Sequence, residues 1–504
     1  MRPFLRGATT LLSLVLLTPW AWTQGIGSFD VRLDPEAFPE AFSGEVFVAF
    51  AERGEPRRSM HGWFGAPPVL RFALEGVAGG ETVSLHPARA AASHPVDWSD
   101  VEAGEWRVQA IARASRTGRQ AGFGVGDVYS AVAEIAYDPE AEAAASLALD
   151  TVVEPTPFLE TERVVLFELV SPALSKFHGF EYTLRAGVLL PENHGDEDSY
   201  PVVYSVPGFG GTHEGIYGWQ GRGGEASPLD RCIVVVPDPS NRYGHSAFCD
   251  SESIGPWGEA LVRELIPALE EEFGGAGAEH RYVTGISSGG WSSLWLQVSY
   301  PDEFAGCWSH VPDPIDFHDF QRIDLYEPRE GGAPRNMYVD ENGDPRPLAR
   351  RGGTVLVTYE DFARRENVLD PGGQLRSFEA TFSPPGPDGA PRRIFDVETG
   401  AIDHAAARAW RKYDISHLLL TRWDELRERL AGKIHVYAGE VDTFYLEGAV
   451  ERFRALAGEA GILGEMVVEV VPGMAHSLYE AGHAAMVATI EARWRELAGT
   501  EKDR

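Results

Sequence analysis

The segment Arg281–Tyr300, RYVTGISSGGWSSLWLQVSY, decides the fold of this chain of 504 residues. Its first part, Tyr282–Ile286, is a short apolar run typical of a buried strand, and Trp291–Tyr300 has the composition of a helix. Between them, Gly285–Gly289 matches the pattern G-x-S-x-G, in which a sharp strand-to-helix turn lifts a serine off the sheet. Bulky side chains at the flanking glycines would clash with neighbouring backbone. We therefore predict Ser287 to be a nucleophile, with an ordinary Ser/Gly turn as the alternative.

Strands and helices alternate on both sides of this segment. Continuous apolar runs at Pro201–Val206 and Cys232–Val236 are expected for strands that are buried on both faces. Two later runs, Lys433–Ala438 and Met466–Val471, are each followed by a helical pattern. The alternation predicts an α/β domain over residues 161–500, with a mostly parallel sheet covered by helices.

The chain outside this pattern is predicted to form three further parts. Short apolar runs separated by Gly, Pro and Asp turns predict a β-rich, sandwich-like domain at residues 26–150. The acidic, alanine-rich stretch Asp138–Asp150 has the composition of a linker, and we place the linker between domains at residues 151–160. Regular alternation is lost at residues 313–415, which predicts an insertion that serves as a lid or pocket wall.

Residues 1–25 have the features of a secretory signal peptide. Arg2 and Arg6 precede the apolar run Leu11–Leu17, which is too short to span a bilayer. No later segment has the length and apolar character of a membrane span. We therefore expect an exported protein, periplasmic or extracellular, with no membrane span in its mature form.

Charge and cysteine content exclude several classes of protein. The chain has 44 Lys+Arg against 76 Asp+Glu, a net charge of −32, which argues against nucleic acid or an anionic membrane as a partner. Cys232, Cys249 and Cys307 lie far apart, so a zinc site is not expected. One disulfide with a leftover thiol and three buried thiols are both left open as alternatives.

The dinucleotide, P-loop and HExxH motifs are absent from the sequence, and no cofactor or metal site is predicted.

A nucleophilic serine needs a base to remove its proton and an acid to orient that base. The predicted fold supplies them from loops after later strands, in the order Ser, Asp or Glu, His. His476 follows the strand Met466–Val471 and is the predicted base. Asp442 follows the strand Lys433–Ala438 and is the predicted acid, with Glu440 in the same loop as its competitor.

The loop Pro207–Gly211 (PGFGG) follows the strand Pro201–Val206. Its glycines allow close approach of the backbone to a ligand. We predict that the oxyanion of the reaction is bound by the N–H of Ser288 together with that of Phe209 or Gly210.

Three segments resemble one family: Val206–His213 (VPGFGGTH), Gly255–Ala260 (GPWGEA) and Thr284–Gln297 (TGISSGGWSSLWLQ). They are similar to the esterase family of α/β hydrolases that includes feruloyl esterases, enterochelin esterases and mycolyltransferases. The resemblance covers about residues 160–500. It implies the α/β-hydrolase fold and a Ser–His–Asp ester hydrolase, with these roles on Ser287, His476 and Asp442.

The leading hypothesis is hydrolysis of carboxylic esters through an acyl-enzyme on Ser287. The substrate would be an ester of a small molecule or one linked to a glycan. Acyl transfer to another alcohol, cleavage of peptide bonds, and a catalytically inactive binding protein of the same fold are the alternatives.

Overall fold

The computed structural model describes residues 25–197, 199–220 and 228–502, with the backbone alone for 228 and 496–502. The predicted signal peptide, residues 1–25, lies outside this part of the chain apart from Gly25. The first part of the described chain forms a sheet of ten strands, here called the N-terminal sheet: Ile26–Leu33, Phe42–Ala51, Val69–Val77, Thr82–Leu85, Ala92–His94, Gly104–Arg113, Val128–Tyr129, Ala133–Tyr137, Ala143–Leu149 and Thr151–Val152. Alternate side chains of its first strand are fully buried: Phe29, Val31 and Leu33. This period of two places a hydrophobic core on one face of the sheet.

The linker interpretation of Asp138–Asp150 is wrong. Ala143–Leu149 is a strand that pairs in parallel with Ile26–Leu33. Alternate side chains of this strand are buried: Ala145, Leu147 and Leu149. The acidic residues that suggested a linker flank the strand, and the strand itself is rich in alanine. The first residues of the predicted linker 151–160 also belong to the sheet, because Thr151–Val152 pairs with Val128–Tyr129.

The later part of the described chain forms a second sheet of eight strands, numbered β1 to β8: Val164–Val170, Thr183–Leu189, Val202–Val206, Ile233–Pro237, Arg281–Ile286, Gly306–His310, Ile434–Gly439 and Val467–Val471. Their spatial order is β1-β2-β4-β3-β5-β6-β7-β8. β2 pairs antiparallel with β1 and β4, and the other five neighbouring pairs are parallel. The sheet is therefore mixed, and the carboxyl ends of its parallel strands lie along one edge, where such sheets place their sites.

Eight helices of the described chain are numbered α1 to α8: Pro172–His178, Ile266–Phe273, Ser288–Ser299, Tyr359–Leu369, Gln374–Phe382, Ile415–Leu430, Glu447–Glu459 and Glu480–Lys502. Shorter helices lie at Pro56–Ser59, Trp257–Glu259 and His404–Ala407, and a π-helical turn, Ala260–Leu265, leads into α2. Helices cover both faces of the mixed sheet. Val203 of β3 packs with Met486 of α8, whereas its neighbour Val202 belongs to the larger core with Leu294 of α3.

The insertion, residues 313–415, contains more regular structure than its sequence predicted. A hairpin of Pro347–Arg351 and Thr354–Thr358 is followed by α4 and α5, and neither hairpin strand joins the mixed sheet. The apolar pattern of α4 is obscured because Arg365 and Glu366 are buried within it. A helix that buries charged side chains lacks the simple apolar stripe by which helices are recognised in a sequence.

The insertion also packs against the N-terminal sheet. Val368 of α4 is buried in a cluster with Phe47 and Ile111 of that sheet. Arg365 of the same helix donates a hydrogen bond to the carbonyl oxygen of Trp63 at 3.2 Å. The N-terminal part of the chain therefore reaches the edge of the mixed sheet through the insertion.

All three cysteines are buried, and Cys249 and Cys307 form no disulfide. This favours the interpretation of buried thiols over a disulfide between these two residues. Among the described helices, none is both long and apolar enough to cross a membrane.

Candidate active site

The turn between β5 and α3 carries Ser287. The residue has φ 60° and ψ −126°, a conformation that is strained for any residue with a side chain. A Cβ atom at Gly285 would lie 2.2 Å from the carbonyl oxygen of Gly289, and one at Gly289 would lie 2.0 Å from that of Val206. Both positions therefore require glycine, because neighbouring backbone lies too close for a Cβ atom. The N–H of Ser287 donates to the carbonyl oxygen of His310 at 3.0 Å, which ties the turn to β6.

The loops after β7 and β8 bring His476 and Asp442 together. His476 Nδ1 lies 2.8 Å from Asp442 Oδ2. The Asp442 side chain is 1% exposed, and its second oxygen accepts the N–H of Phe444 at 2.7 Å. A carboxylate that accepts Nδ1–H holds a histidine in the tautomer whose Nε2 can take up a proton.

Glu440 occupies a different position in the same loop. Its carboxylate is exposed, and Oε2 accepts the N–H of Gly473 at 2.8 Å. The Glu440 side chain therefore links the β7 loop to the backbone of the β8 loop, and it makes no hydrogen bond to His476.

The predicted oxyanion loop lies directly against the serine turn. A Cβ atom at Gly208 would be 3.4 Å from the Cβ of Ser287 and 3.1 Å from the carbonyl oxygen of Ile286. Gly210 has φ 89°, which favours glycine. Ser288 is the first residue of α3 and is buried, and the N–H groups of a first helical turn have no partner within the helix.

Ser287 and His476 line one cavity of about 290 Å³, here called the active-site cavity. Most of its lining is aromatic or aliphatic, and it comes from separate parts of the chain: Trp63, Gly208, Phe209, Ile286, Ser287, Asp313, Pro314, Gln321, Leu348, Phe362, Gln374, Leu375, Phe378, Phe444, Leu446 and His476. Eight of these sixteen residues, from Asp313 to Phe378, belong to the insertion. An apolar cavity with a few convergent polar groups is the usual form of a small-molecule site.

Asp313 is a polar group of this site that the sequence analysis missed. It is 5% exposed and accepts hydrogen bonds from the Ser288 hydroxyl at 2.5 Å and from the Gln374 amide at 3.3 Å. Burial raises the pKa of Asp313 to about 6, against the opposing effects of the Ser288 hydrogen bond, the nearby His476 and a hydrogen bond from the Ser287 hydroxyl. A signal was present, because Asp313 follows β6 within three residues and therefore lies at the edge that carries the other site residues.

Trp63 is the second missed residue, and it comes from the N-terminal part of the chain. Its ring centroid lies 5.0 Å from that of Phe362, 5.4 Å from Phe444 and 6.1 Å from Phe209. These contacts form an aromatic wall of the active-site cavity. No local pattern connects Trp63 with this site, since the contacts depend on how the N-terminal sheet packs on the insertion.

Within the described residues, no group of three or more His, Cys, Asp or Glu side chains is arranged to hold a metal ion. The polar groups at the cavity are the serine, histidine, carboxylates and amides already named. They suit proton transfer and attack by a hydroxyl on an electrophilic carbon.

The strained serine turn at the end of β5 is the local structure that defines an α/β hydrolase, and the mixed sheet with helices on both faces agrees with it. A family model described as "Putative esterase" matches residues 178–495. The chain belongs to this esterase family, as the motifs in its sequence predicted.

Several solved structures are similar to the chain. A ferulic acid esterase is 15% identical, with 65% of this chain and 96% of that chain covered and a TM-score of 0.39. An S-formylglutathione hydrolase from Agrobacterium tumefaciens is 16% identical, with 65% and 93% covered and a TM-score of 0.36. A fluorophosphonate-binding serine hydrolase from Staphylococcus aureus is 12% identical, with 65% and 96% covered and a TM-score of 0.38. No curated protein sequence matches the chain.

Proposed function

We propose that the protein is an exported serine hydrolase that cleaves carboxylic esters of small molecules or glycans through an acyl-enzyme. The esterase family supports the class of reaction. The observation that carries the mechanism is the pair of His476 and Asp442, 2.8 Å apart, in which His476 lines the cavity that also contains the strained Ser287. Export rests on the signal-like residues 1–25.

In the first half of the reaction, His476 Nε2 takes the proton of the Ser287 hydroxyl as its oxygen attacks the ester carbonyl carbon. Asp442 keeps the imidazole in the correct tautomer and stabilises the imidazolium that forms. The N–H of Ser288 and that of Phe209 or Gly210 bind the oxyanion of the tetrahedral intermediate. The C–O bond to the alcohol then breaks, the alcohol leaves with the proton from His476, and the acyl group stays on Ser287.

In the second half, water replaces the alcohol. His476 removes a proton from the water, whose oxygen attacks the acyl carbon. The bond to Ser287 breaks, the serine regains its proton from His476, and a carboxylic acid is released. The apolar lining of the active-site cavity supports an ester with a bulky apolar group beside the reacting carbonyl.

The direct test is labelling of the purified protein with a fluorophosphonate, together with a panel of hydroxycinnamoyl, short aliphatic and catecholate esters. We expect one probe per chain on Ser287, a burst of alcohol release, and no labelling of Ser287→Ala. Absence of both labelling and hydrolysis in the folded protein would instead support a binding protein. Ester products formed with an added alcohol would indicate acyl transfer, and cleaved peptides would indicate a peptidase.

A further inference from the structure

A second cavity, of about 50 Å³, adjoins the active-site cavity. Trp63, Phe209 and Phe362 line both cavities and form their common wall. A single buried water needs a cavity of roughly 10–15 Å³, so the second cavity has room for a small polar group such as a carboxylate. It lies between the N-terminal part of the chain, which contributes Arg119, and helix α4, which contributes Arg365.

Arg365 lines this cavity with a buried guanidinium group. The residue is 7% exposed, and one terminal nitrogen donates to the carbonyl oxygen of Trp63. Its Nε has no hydrogen-bond partner in the described part of the chain. Buried donors of charged groups are costly to leave unpaired, and in native proteins they nearly always have an acceptor. An anion in the adjoining cavity would offset part of the cost of burying this guanidinium with so few acceptors.

Arg119 approaches the same cavity from the other side and reaches the oxyanion loop. Its guanidinium carbon lies 4.9 Å from the centre of the Phe209 ring. A Cβ atom at Gly210 would lie 3.5 Å from one of its terminal nitrogens. In the described structure the Arg119 side chain makes neither a hydrogen bond nor an ion pair. Burial lowers its pKa, but guanidinium groups stay charged in proteins.

The residues that line the cavity carry more positive than negative charge. Its one lining carboxylate within the described residues, Glu366, already accepts the backbone N–H groups of Gln374, Leu375 and Arg376 at the start of α5. Burial also raises the pKa of Glu366 to about 7. His61 is neutral at pH 7, because burial and the neighbouring arginines lower its pKa to about 4. Among the lining residues, two guanidinium groups therefore face one carboxylate, Glu366, while Asp238 interacts with Arg119 from outside the lining.

The frame around the two arginines is fixed. The Arg113 guanidinium donates to the carbonyl oxygens of Gly118 and Arg119 on one loop and of Pro371 on the other. Gly372 has φ 123°, and a Cβ atom there would lie 2.0 Å from the carbonyl oxygen of Arg119. The two loops are thus in backbone contact that only glycine permits. A site built on rigid backbone binds a ligand with less loss of conformational entropy.

We infer that the second cavity is an anion subsite, formed by Arg119 and Arg365, that binds a carboxylate carried by the ester substrate. The guanidinium fork matches the two oxygens of a carboxylate, and the common aromatic wall keeps the anion next to the reacting carbonyl. This inference rests on the proposed esterase function and assigns a substrate class to it. It also gives the N-terminal part of the chain a role in selecting the substrate.

The test compares esters that differ only in a carboxylate and its neutral carboxamide. One arm uses 4-nitrophenyl monoesters of dicarboxylic acids of increasing length, from adipic to sebacic acid, against the corresponding monoamides. The other arm places the charge on the leaving group, with butyrate esters of 3-hydroxybenzoic acid and 3-hydroxybenzamide. We expect kcat/KM to favour the carboxylate about tenfold or more in one arm, which then identifies the side of the ester that carries the anion.

Arg119→Gln is expected to reduce this preference about tenfold, and Arg119→Lys to retain only part of it, because an ammonium group keeps the charge but lacks the guanidinium fork. The matched control is Arg116→Gln, an exposed arginine of the same loop that does not line the cavity and whose loss should leave both rates unchanged. Equal kcat/KM for carboxylate and carboxamide in both arms would overturn the anion subsite while leaving the esterase intact. Absence of hydrolysis with every ester would refute the esterase proposal itself. If Arg119→Gln does not fold, the ratio in the wild-type protein decides the question alone.

Discussion

His476 Nδ1 lies 2.8 Å from Asp442 Oδ2, and Asp442 is almost completely buried beneath the histidine. Two residues earlier, Glu440 is exposed and bonds the backbone N–H of Gly473. The loop after β7 therefore contains one acid directed at the imidazole and one directed at the neighbouring loop. Their chemical similarity makes them a matched pair for mutation.

Asp442→Asn is expected to lower kcat about 10⁴-fold, because an amide in this position stabilises the wrong histidine tautomer and cannot stabilise the imidazolium. Glu440→Gln should change kcat by less than about tenfold. Steady-state kinetics on purified variants with unchanged circular dichroism would measure both. A larger loss for Glu440→Gln than for Asp442→Asn would reject the assignment of the acid.

Ser287→Ala is expected to lower kcat about 10³-fold or more with little change in melting temperature, since alanine has the same backbone strain at φ 60° as serine. Adding His476→Ala should cost little further activity, because the two residues act as a unit. Losses that multiply in the double variant would show that they do not share one mechanism.

Asp313→Asn tests the buried carboxyl at the serine turn through the pH dependence of stability. Its pKa is raised to about 6 in the folded protein, so the folded state holds this proton more tightly than the unfolded chain does. The contribution of Asp313 to stability is then fully present below a pH of about 4 and is lost as the pH rises through about 6.

The stability of Asp313→Asn relative to wild type should therefore increase between a pH of about 4 and about 7 and become constant above it. Urea unfolding of both proteins across this range would measure the difference. Titrating groups that do not interact with Asp313 cancel in the comparison, whereas His476 and Asp442 interact with it directly. A difference that is independent of pH would contradict the raised pKa.

Trp63→Ala is expected to lower kcat/KM about tenfold for esters with a bulky aromatic acyl group and much less for acetate esters. The change removes aromatic contacts with Phe209, Phe362 and Phe444 at the cavity wall. Phe64→Ala is the control, because Phe64 is adjacent, is 41% exposed and does not line the cavity. Equal effects of the two substitutions, or equal effects on small and large esters, would show that Trp63 does not shape the site.

Much of the fold could be predicted because its signals are local. The strand and helix around Ser287 are adjacent in sequence, and the strands that precede Asp442 and His476 are apolar runs that end within a few residues of them. Predictions failed where packing alone determined structure. Ala143–Leu149 looked like a linker because it is rich in alanine and flanked by acidic residues. It becomes a strand by pairing with Ile26–Leu33, which is distant in the sequence.

The sequence by itself determined the parts of the site that follow from chain direction: parallel strands end at one edge, so residues placed just after them must lie close together. It predicted Ser287, His476, Asp442 and the loop of Phe209 as neighbours in this way. Only the tertiary structure brought Trp63, Arg119 and Arg365 to the same edge. Their positions depend on the packing of the N-terminal sheet against helix α4, and no local sequence pattern predicts which surfaces of two such elements meet. This contact forms the aromatic wall and the proposed anion subsite.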